Sequence, residues 1–184
     1  VLVADLGDNE AIKKLTQTIK SLDLLVNNAS IFYPTSTENS TIEDWDKIIN
    51  INLKAPFFIT TGLSKVLETS QGSIVNIIDI HSDRPLKNHS IYNISKAGLK
   101  MLTKTLAKEL APNIRVNGVS PGSILWPQGP AELSQEEKFN MLDRIALNKH
   151  GSTEDIAEAV LFLADAKYIT GEVINIDGGR SLNQ

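Results

Sequence analysis

The sequence predicts an α/β domain with a parallel sheet covered by helices on both faces. Three observations carry that prediction. Short apolar runs alternate with stretches of helical periodicity from one end of the chain to the other. The run from Ser73 to Ile78 reads as a continuous apolar strand, the mark of a strand buried on both faces. Polar groups gather where strands end, at Asp5, Asn27-Asn28, Asp79 and Pro121-Gly122. Open parallel sheets bind ligands outside those carboxyl ends.

The elements follow in order. Val1–Ala4 reads as a strand. Asp8–Lys20 reads as a helix with Ile12, Leu15 and Ile19 on one face. Leu22–Val26 is a strand, and Asn27-Asn28-Ala29-Ser30 is the turn after it. A long helix starts at Thr41, with Glu43 and Asp44 in the first turn, where the helix dipole favours acids. It runs on to Glu68, with a disturbance expected at Pro56. After the strand Ser73–Ile78 comes a helix over His89–Leu110, whose continuation Pro112 stops. Ile114–Val119 is a strand, and Pro121-Gly122 turns the chain. Gln135–Leu147 and Thr153–Ala164 are helices, and Val173–Ile176 is a last strand before Asp177-Gly178-Gly179.

With 184 residues, 41% of them hydrophobic, the chain suits a single domain, residues 1–184, with a proper core. A net charge of −4 gives no electrostatic reason to expect nucleic acid or an anionic membrane as partner. The absence of cysteine excludes disulfides and thiolate metal sites. His81, His89 and His150 lack metal-ligand spacing and read as polar loop residues. No apolar run approaches the ~18 residues needed to span a bilayer. No signal peptide is visible, so a soluble cytoplasmic protein is expected.

Tyr92 and Lys96 stand four residues apart on one predicted helix, so their side chains share a face. A free phenol titrates near ~10 and is a poor acid-base catalyst at neutral pH. A neighbouring ammonium stabilises the phenolate, so the pair is expected to exchange a proton with a substrate near neutrality. Tyr-x-x-x-Lys by itself also occurs on ordinary amphipathic helices, and its surroundings decide. "LDLLVNNAS", "NINLKAPFF", "GSIVNIID", "YNISKAGL", "IRVNGVSPG" and "ITGEVINIDGG" occur in the order found in the short-chain dehydrogenase/reductase family. The chain resembles that family over essentially its whole length.

The resemblance implies a Rossmann-type doubly wound parallel sheet and an NAD(P)-dependent hydride transfer. It implies that Tyr92 supplies the proton, that Lys96 lowers the phenol's pKa and binds the nicotinamide ribose, and that Asn52 holds a water in the relay. Asn27 and Ala29 match the turn that packs against the cofactor, Asp5 and Leu6 the pair beside the adenine, and Pro121, Gly122 and Ile124 the segment passing the nicotinamide. One departure is specific. Most of the family has serine where this chain has Asp79, and that hydroxyl holds a substrate carbonyl. A carboxylate suits a nitrogen-rich ring with N–H donors better. Pteridine reductases are the branch with aspartate there, and "NNASIFYPT" and "PGSILWP" resemble their bacterial members. In that branch Ser30 matches a contact to pterin and cofactor phosphate, and Phe32 matches a ring stacked on the pterin face. Trp126 stands where many relatives carry threonine.

The expected reaction is thus NADPH-dependent reduction of a dihydropterin or dihydrofolate, with Asp79, Tyr92 and Lys96 as the proton-delivery line. The preference for NADPH rests on the resemblance alone. Two alternatives stay open: an ordinary short-chain reductase of ketones, alcohols or 3-oxoacyl thioesters, and a non-catalytic fragment with this fold. The family's opening strand and Gly-rich turn, which receive the pyrophosphate, have no counterpart in this sequence. The sheet is therefore expected to lack its first two strands, with Val1–Ala4 as the third. A homotetramer is implied by the resemblance, and Gln184 lies near the position from which an arginine reaches a neighbour's site in some pteridine reductases.

Overall fold

The computed structural model describes residues 1–125 and 134–183. Helix α1 (Asn9–Thr18) opens on Asp8, whose carboxylate accepts from the Glu10 N–H at 2.9 Å. Strand β1 is Leu24–Asn27 and helix α2 is Ile42–Ile49. A π-helical turn over Asn50–Lys54 leads into α3 (Ala55–Ser70), then β2 (Ser73–Ile77) and α4 (Ser90–Glu109). Strand β3 (Arg115–Pro121), helices α5 (Gln135–Asp143) and α6 (Thr153–Asp165) and strand β4 (Val173–Ile176) complete the described order. Helices α2, α5 and α6 begin in the same way. Thr41, Ser134 and Ser152 each accept from the backbone three residues on, and Asp44, Glu137 and Asp155 bond back. Each pair satisfies two of the helix's orphan amides.

The four strands form one parallel sheet in the order β1-β2-β3-β4. Register pairs Asn27 with Asn76 and Ile77 with Val119, so the carboxyl ends of the first three strands come level. Helices cover both faces, as expected. Ile74 and Val116 pack with Ile59, Leu63, Leu67 and Leu106 of α3 and α4. Val75 and Val119 face the other way, onto Ala159, Val160 and Leu163 of α6. Arg115 closes the end of α6 by donating to the carbonyls of Leu163 and Ala166 at 2.7 and 2.8 Å.

Two expectations are corrected and one is sharpened. Val1–Ala4 forms no strand, and Val1, Leu2 and Val3 are exposed. Its apolar composition was a strand signal, but a strand exists only with a ladder partner, and none of the four strands lies beside it. The second helix is not one continuous α-helix: a π turn over Asn50–Lys54 interrupts it in the turn just before Pro56, close to where the disturbance was expected, since a proline has no N–H to bond back into that turn. Helix α5 stops at Asp143, four residues before Leu147.

One buried polar chain ties the layers together behind the carboxyl ends. Asn27 Nδ2 donates to Asn76 Oδ1 at 2.8 Å, and Asn76 Nδ2 donates to Thr103 Oγ1 at 2.9 Å. Asn76 is fully buried. Asn76→Ala is expected to destabilise the protein by about 1–3 kcal/mol, because Asn27 and Thr103 both lose a buried partner. Urea unfolding reads this out. Combining Asn76→Ala with Asn27→Ala should cost less than the two separate losses together.

Candidate active site

The site is assembled where β2 ends and α4 begins. Lys96 is buried, and its Nζ donates to the carbonyl of Ile77, the last residue of β2, at 3.0 Å. Two residues further on, Asp79 caps a short 3-10 turn through the His81 N–H at 2.8 Å. Its second oxygen, Oδ2, accepts the Tyr92 hydroxyl at 2.8 Å. The Lys96 ammonium lies 5.7 Å from the Tyr92 ring centroid. Tyr92 is 5% exposed, so the bond to Asp79 forms out of bulk water.

The loop after β1 covers this pair. Phe32 meets Tyr92 edge to face, with centroids 4.8 Å apart, and stacks on His89 at 4.6 Å. Thr35 holds the loop to the start of α4, which has no side-chain cap of its own. The Thr35 carbonyl accepts from the Ser90 N–H and its hydroxyl from the Ile91 N–H. Asn52, in the π turn, clamps the same loop. Its Oδ1 accepts from the Ile31 N–H at 2.8 Å, and its Nδ2 donates to the Ile31 carbonyl and to Ser95 Oγ. Ser95 in turn donates to the Tyr92 carbonyl. Both N–H donors of Asn52 and one acceptor position of its Oδ1 are thus used on protein groups, and the residue joins loop, π turn and α4.

The electrostatics reverse one expectation. Burial, and then the Asp79 carboxylate, push the Tyr92 phenol well above its ordinary value instead of below it. Lys96 bonds the Ile77 carbonyl and not the phenol oxygen, so its charge does not outweigh Asp79. Burial pulls the Lys96 ammonium down to about 8, with Asp79 opposing. Tyr92 therefore holds its proton, and the arrangement is that of a proton donor oriented by a carboxylate.

Asp79, Tyr92, Lys96, Phe32 and, through Ile31 and Ser95, Asn52 come together. Leu6, Asn27 and Ala29 line a separate hollow of about 220 Å³ beside β1, with Asn28, Ile51 and Pro56. Asp5 and Ser30 are exposed. Ile124 faces a further cavity with Gly151 and Asp177, and Gly122 lies so close to Asp177 that an added Cβ would stand 2.7 Å from its Cα. Trp126 and Gln184 fall outside the described residues. A dinucleotide fits the donor set on the nicotinamide side. An ammonium has three N–H donors, and Lys96 commits one to Ile77, which leaves donors for ribose hydroxyls. Asn76, Ser95 and Thr35 were not singled out by sequence, and His89 reads there only as a polar loop residue. Asn76 carried a usable signal, a polar residue inside an otherwise apolar strand.

Among the described residues no cluster of His, Asp and Glu could hold a metal ion, and no helix is long and apolar enough to cross a membrane. A family model described as enoyl-(acyl carrier protein) reductase matches residues 1–181. The 3-oxoacyl-[acyl-carrier-protein] reductase FabG of Thermotoga maritima is 40% identical over 174 residues, which cover 92% of this chain and 70% of that protein. The L-xylulose reductase of Mesocricetus auratus is 36% identical over 181 residues, 95% of this chain and 74% of that protein. The structure of a blue fluorescent protein from a metagenomic library in complex with NADPH superposes with a TM-score of 0.86 at 30% identity, over 96% of this chain and 74% of its own.

The depressed Lys96 value has a consequence for stability. Between about 8 and the ordinary 10.5, the unfolded chain keeps a proton that the folded chain has released. Stability contributed by this group therefore rises with pH across that window and is level below it. Urea unfolding of the wild type and of Lys96→Met across the window should show the rise in the first and its loss in the second.

Proposed function

Because the chain belongs to the short-chain dehydrogenase/reductase family, we propose that it is an NADPH-dependent reductase of a dihydropterin or dihydrofolate-type pteridine. That it is an oxidoreductase follows from the family, whose members use NAD(P). The pteridine reading rests on one observation, the 2.8 Å bond from the Tyr92 hydroxyl to Asp79 Oδ2. A pterin edge presents N–H donors beside ring-nitrogen acceptors. It can enter this bond without loss: a ring N–H takes Asp79 as acceptor, and a ring nitrogen takes the Tyr92 proton. A ketone offers acceptors only. If it took the Tyr92 proton, Asp79 Oδ2 would lose its donor in a half-buried place, at a cost of about 1–3 kcal/mol.

Bound NADPH would supply the hydride that adds to the carbon of the reduced C–N bond. Tyr92 delivers the matching proton to the nitrogen. The phenolate left behind sits beside the Lys96 ammonium, which also binds the ribose. Asp79 orients the ring by accepting its N–H, and Tyr92 regains its proton from solvent after the product leaves. Phe32 supplies a stacking face, and Ser30 a polar contact at the mouth. Asn52 acts as a positioning residue through Ile31 and Ser95. Asp5, Leu6, Asn27, Ala29, Pro121, Gly122 and Ile124 are proposed as cofactor contacts. Exposed Phe57 and Phe58 on α3 and Ile94 and Met101 on α4 supply apolar surface for the proposed homotetramer.

A second reading, reduction of a 3-oxoacyl thioester, is favoured by the similarity to the Thermotoga reductase. Turnover of dihydrobiopterin against an acetoacetyl thioester separates the two. Tyr92→Phe should lower reduction by ~10²–10⁴-fold while nicotinamide fluorescence still reports NADPH binding. Near-normal turnover would remove Tyr92 from the mechanism. Asp79→Ser should move preference from the pterin to the thioester, because it replaces the acceptor for ring N–H groups by a hydroxyl that can donate to a carbonyl. Retention of full pterin preference by Asp79→Ser would sink the pteridine reading.

A further inference from the structure

A cavity of about 450 Å³ opens next to the Asp79 end of the site, in the size range of small-ligand clefts. Its walls come from three distant parts of the chain. The loop between β2 and α4 contributes His81, Asp83 and Arg84, the end of α5 contributes Arg144, and the segment after β4 contributes Arg180. Three arginines and one acid, Asp83, thus line one hollow.

The arrangement is built rather than accidental. Arg84 Nη1 donates to the carbonyl of Arg180, and Asn183 Nδ2 donates to the carbonyl of Arg144. These bonds lock the three walls together through backbone acceptors. Arg180 is brought back toward Asp79 by the Gly178-Gly179 turn, where both residues have positive φ. Any side chain on Gly179 would meet Ala146 Cβ at 2.8 Å.

The acids nearby are committed elsewhere. Asp83 pairs with Lys100 at 2.5 Å. Asp177 accepts from the N–H groups of Gly179 and Ser181. Asp79 accepts from Tyr92 and His81. Among the described residues, no carboxylate lies within 4 Å of any of the three guanidinium groups. Among the described residues, no hydrogen bond engages the guanidinium of Arg144 or Arg180 either. Burial pulls Arg180 below its ordinary value; Arg84 and Arg144 add to this, and Asp79 and Asp177 oppose it. Like charges crowded in a shared hollow are relieved by an oxyanion, for which the guanidinium fork is the matched donor.

We propose that Arg84, Arg144 and Arg180 form an oxyanion subsite that holds the charged tail of the substrate whose reacting end meets Tyr92. This rests on the reductase reading above and deepens it. The substrate then has two parts, a neutral reacting group at Tyr92 and a carboxylate- or phosphate-bearing tail in the arginine cavity. Glutamyl carboxylates of a folate-type pteridine and phosphates of a coenzyme A-type thioester share that chemistry.

The test compares substrates with and without the tail. The first pair is dihydrofolate and dihydrobiopterin; the second is acetoacetyl-coenzyme A and acetoacetyl-N-acetylcysteamine. For whichever pair is turned over, the ratio of kcat/KM, tailed over tail-free, should fall about tenfold in Arg144→Gln and again in Arg84→Gln. The pair that responds identifies carboxylate or phosphate as the natural partner. An unchanged ratio in both variants overturns the subsite. Arg144 makes no side-chain bond to the described residues, so its variant tests the idea even if Arg84→Gln disturbs the loop. If neither pair is turned over, the reductase reading fails on its own, and inorganic pyrophosphate decides the subsite. A melting-temperature rise in the wild type that is lost in Arg144→Gln supports it. No rise in the wild type, or an equal rise in the variant, overturns it.

Discussion

A buried ammonium must be hydrogen-bonded, and in this protein the bond that satisfies Lys96 organises the site. Its acceptor is the carbonyl of Ile77, at the last position of β2. That contact ties the middle of α4 to the end of a strand that is itself paired on both sides. Tyr92, one helical turn earlier, is thereby placed opposite Asp79, two residues beyond the strand. Burying the charge without this acceptor would cost several kcal/mol, so the strand end and the helix cannot drift apart independently.

The same burial governs the chemistry. Tyr92 is buried and Asp79 half-buried, and the two share one proton-bearing bond. Burial and then the carboxylate keep the phenol protonated, and the lysine keeps a positive charge near where a phenolate would form. These two neighbours pull in opposite directions. Which prevails during a reaction is set by what the substrate offers Asp79. A ligand that brings its own N–H donor relieves the aspartate of Tyr92 and frees the phenol proton. The cavity lined by Arg84, Arg144 and Arg180 is the proposed second point of attachment; under that proposal the reacting end and the tail of the substrate are held by two sets of residues.

Much of this was legible in residue order. The strands at Leu24–Asn27, Ser73–Ile77, Arg115–Pro121 and Val173–Ile176 follow the apolar runs closely. Helix starts at Thr41 and Ser152 follow from short polar residues with an acid three positions on. Asp79, Tyr92 and Lys96 were identifiable because strand end and helical spacing are local properties. Val1–Ala4 was misread because an apolar run states that a segment could be a strand and says nothing of its ladder partner. Pro56 pointed to a disturbance, but the π turn at Asn50–Lys54 was missed because the segment keeps helical composition while its bonding changes. Arg84, Arg144 and Arg180, spread over almost a hundred positions, carry no periodic signal at all.

The sequence by itself determined the alternation of strands and helices, the parallel sheet, the gathering of polar groups at its carboxyl end, and the pairing of an acid with a Tyr-Lys helix. Those are consequences of apolar periodicity and of residues a few positions apart. Only the tertiary structure decided the sign of the electrostatics. Tyr92 is driven up first by its burial and then by Asp79, which its hydroxyl reaches in a 2.8 Å contact across thirteen positions, while the Ile77 carbonyl claims the Lys96 ammonium. The convergence of three arginines, and the commitment of Asn52 to Ile31 and Ser95, were likewise decided there. Distances across the fold, and the water excluded between groups, are properties of packing that no local run of residues contains.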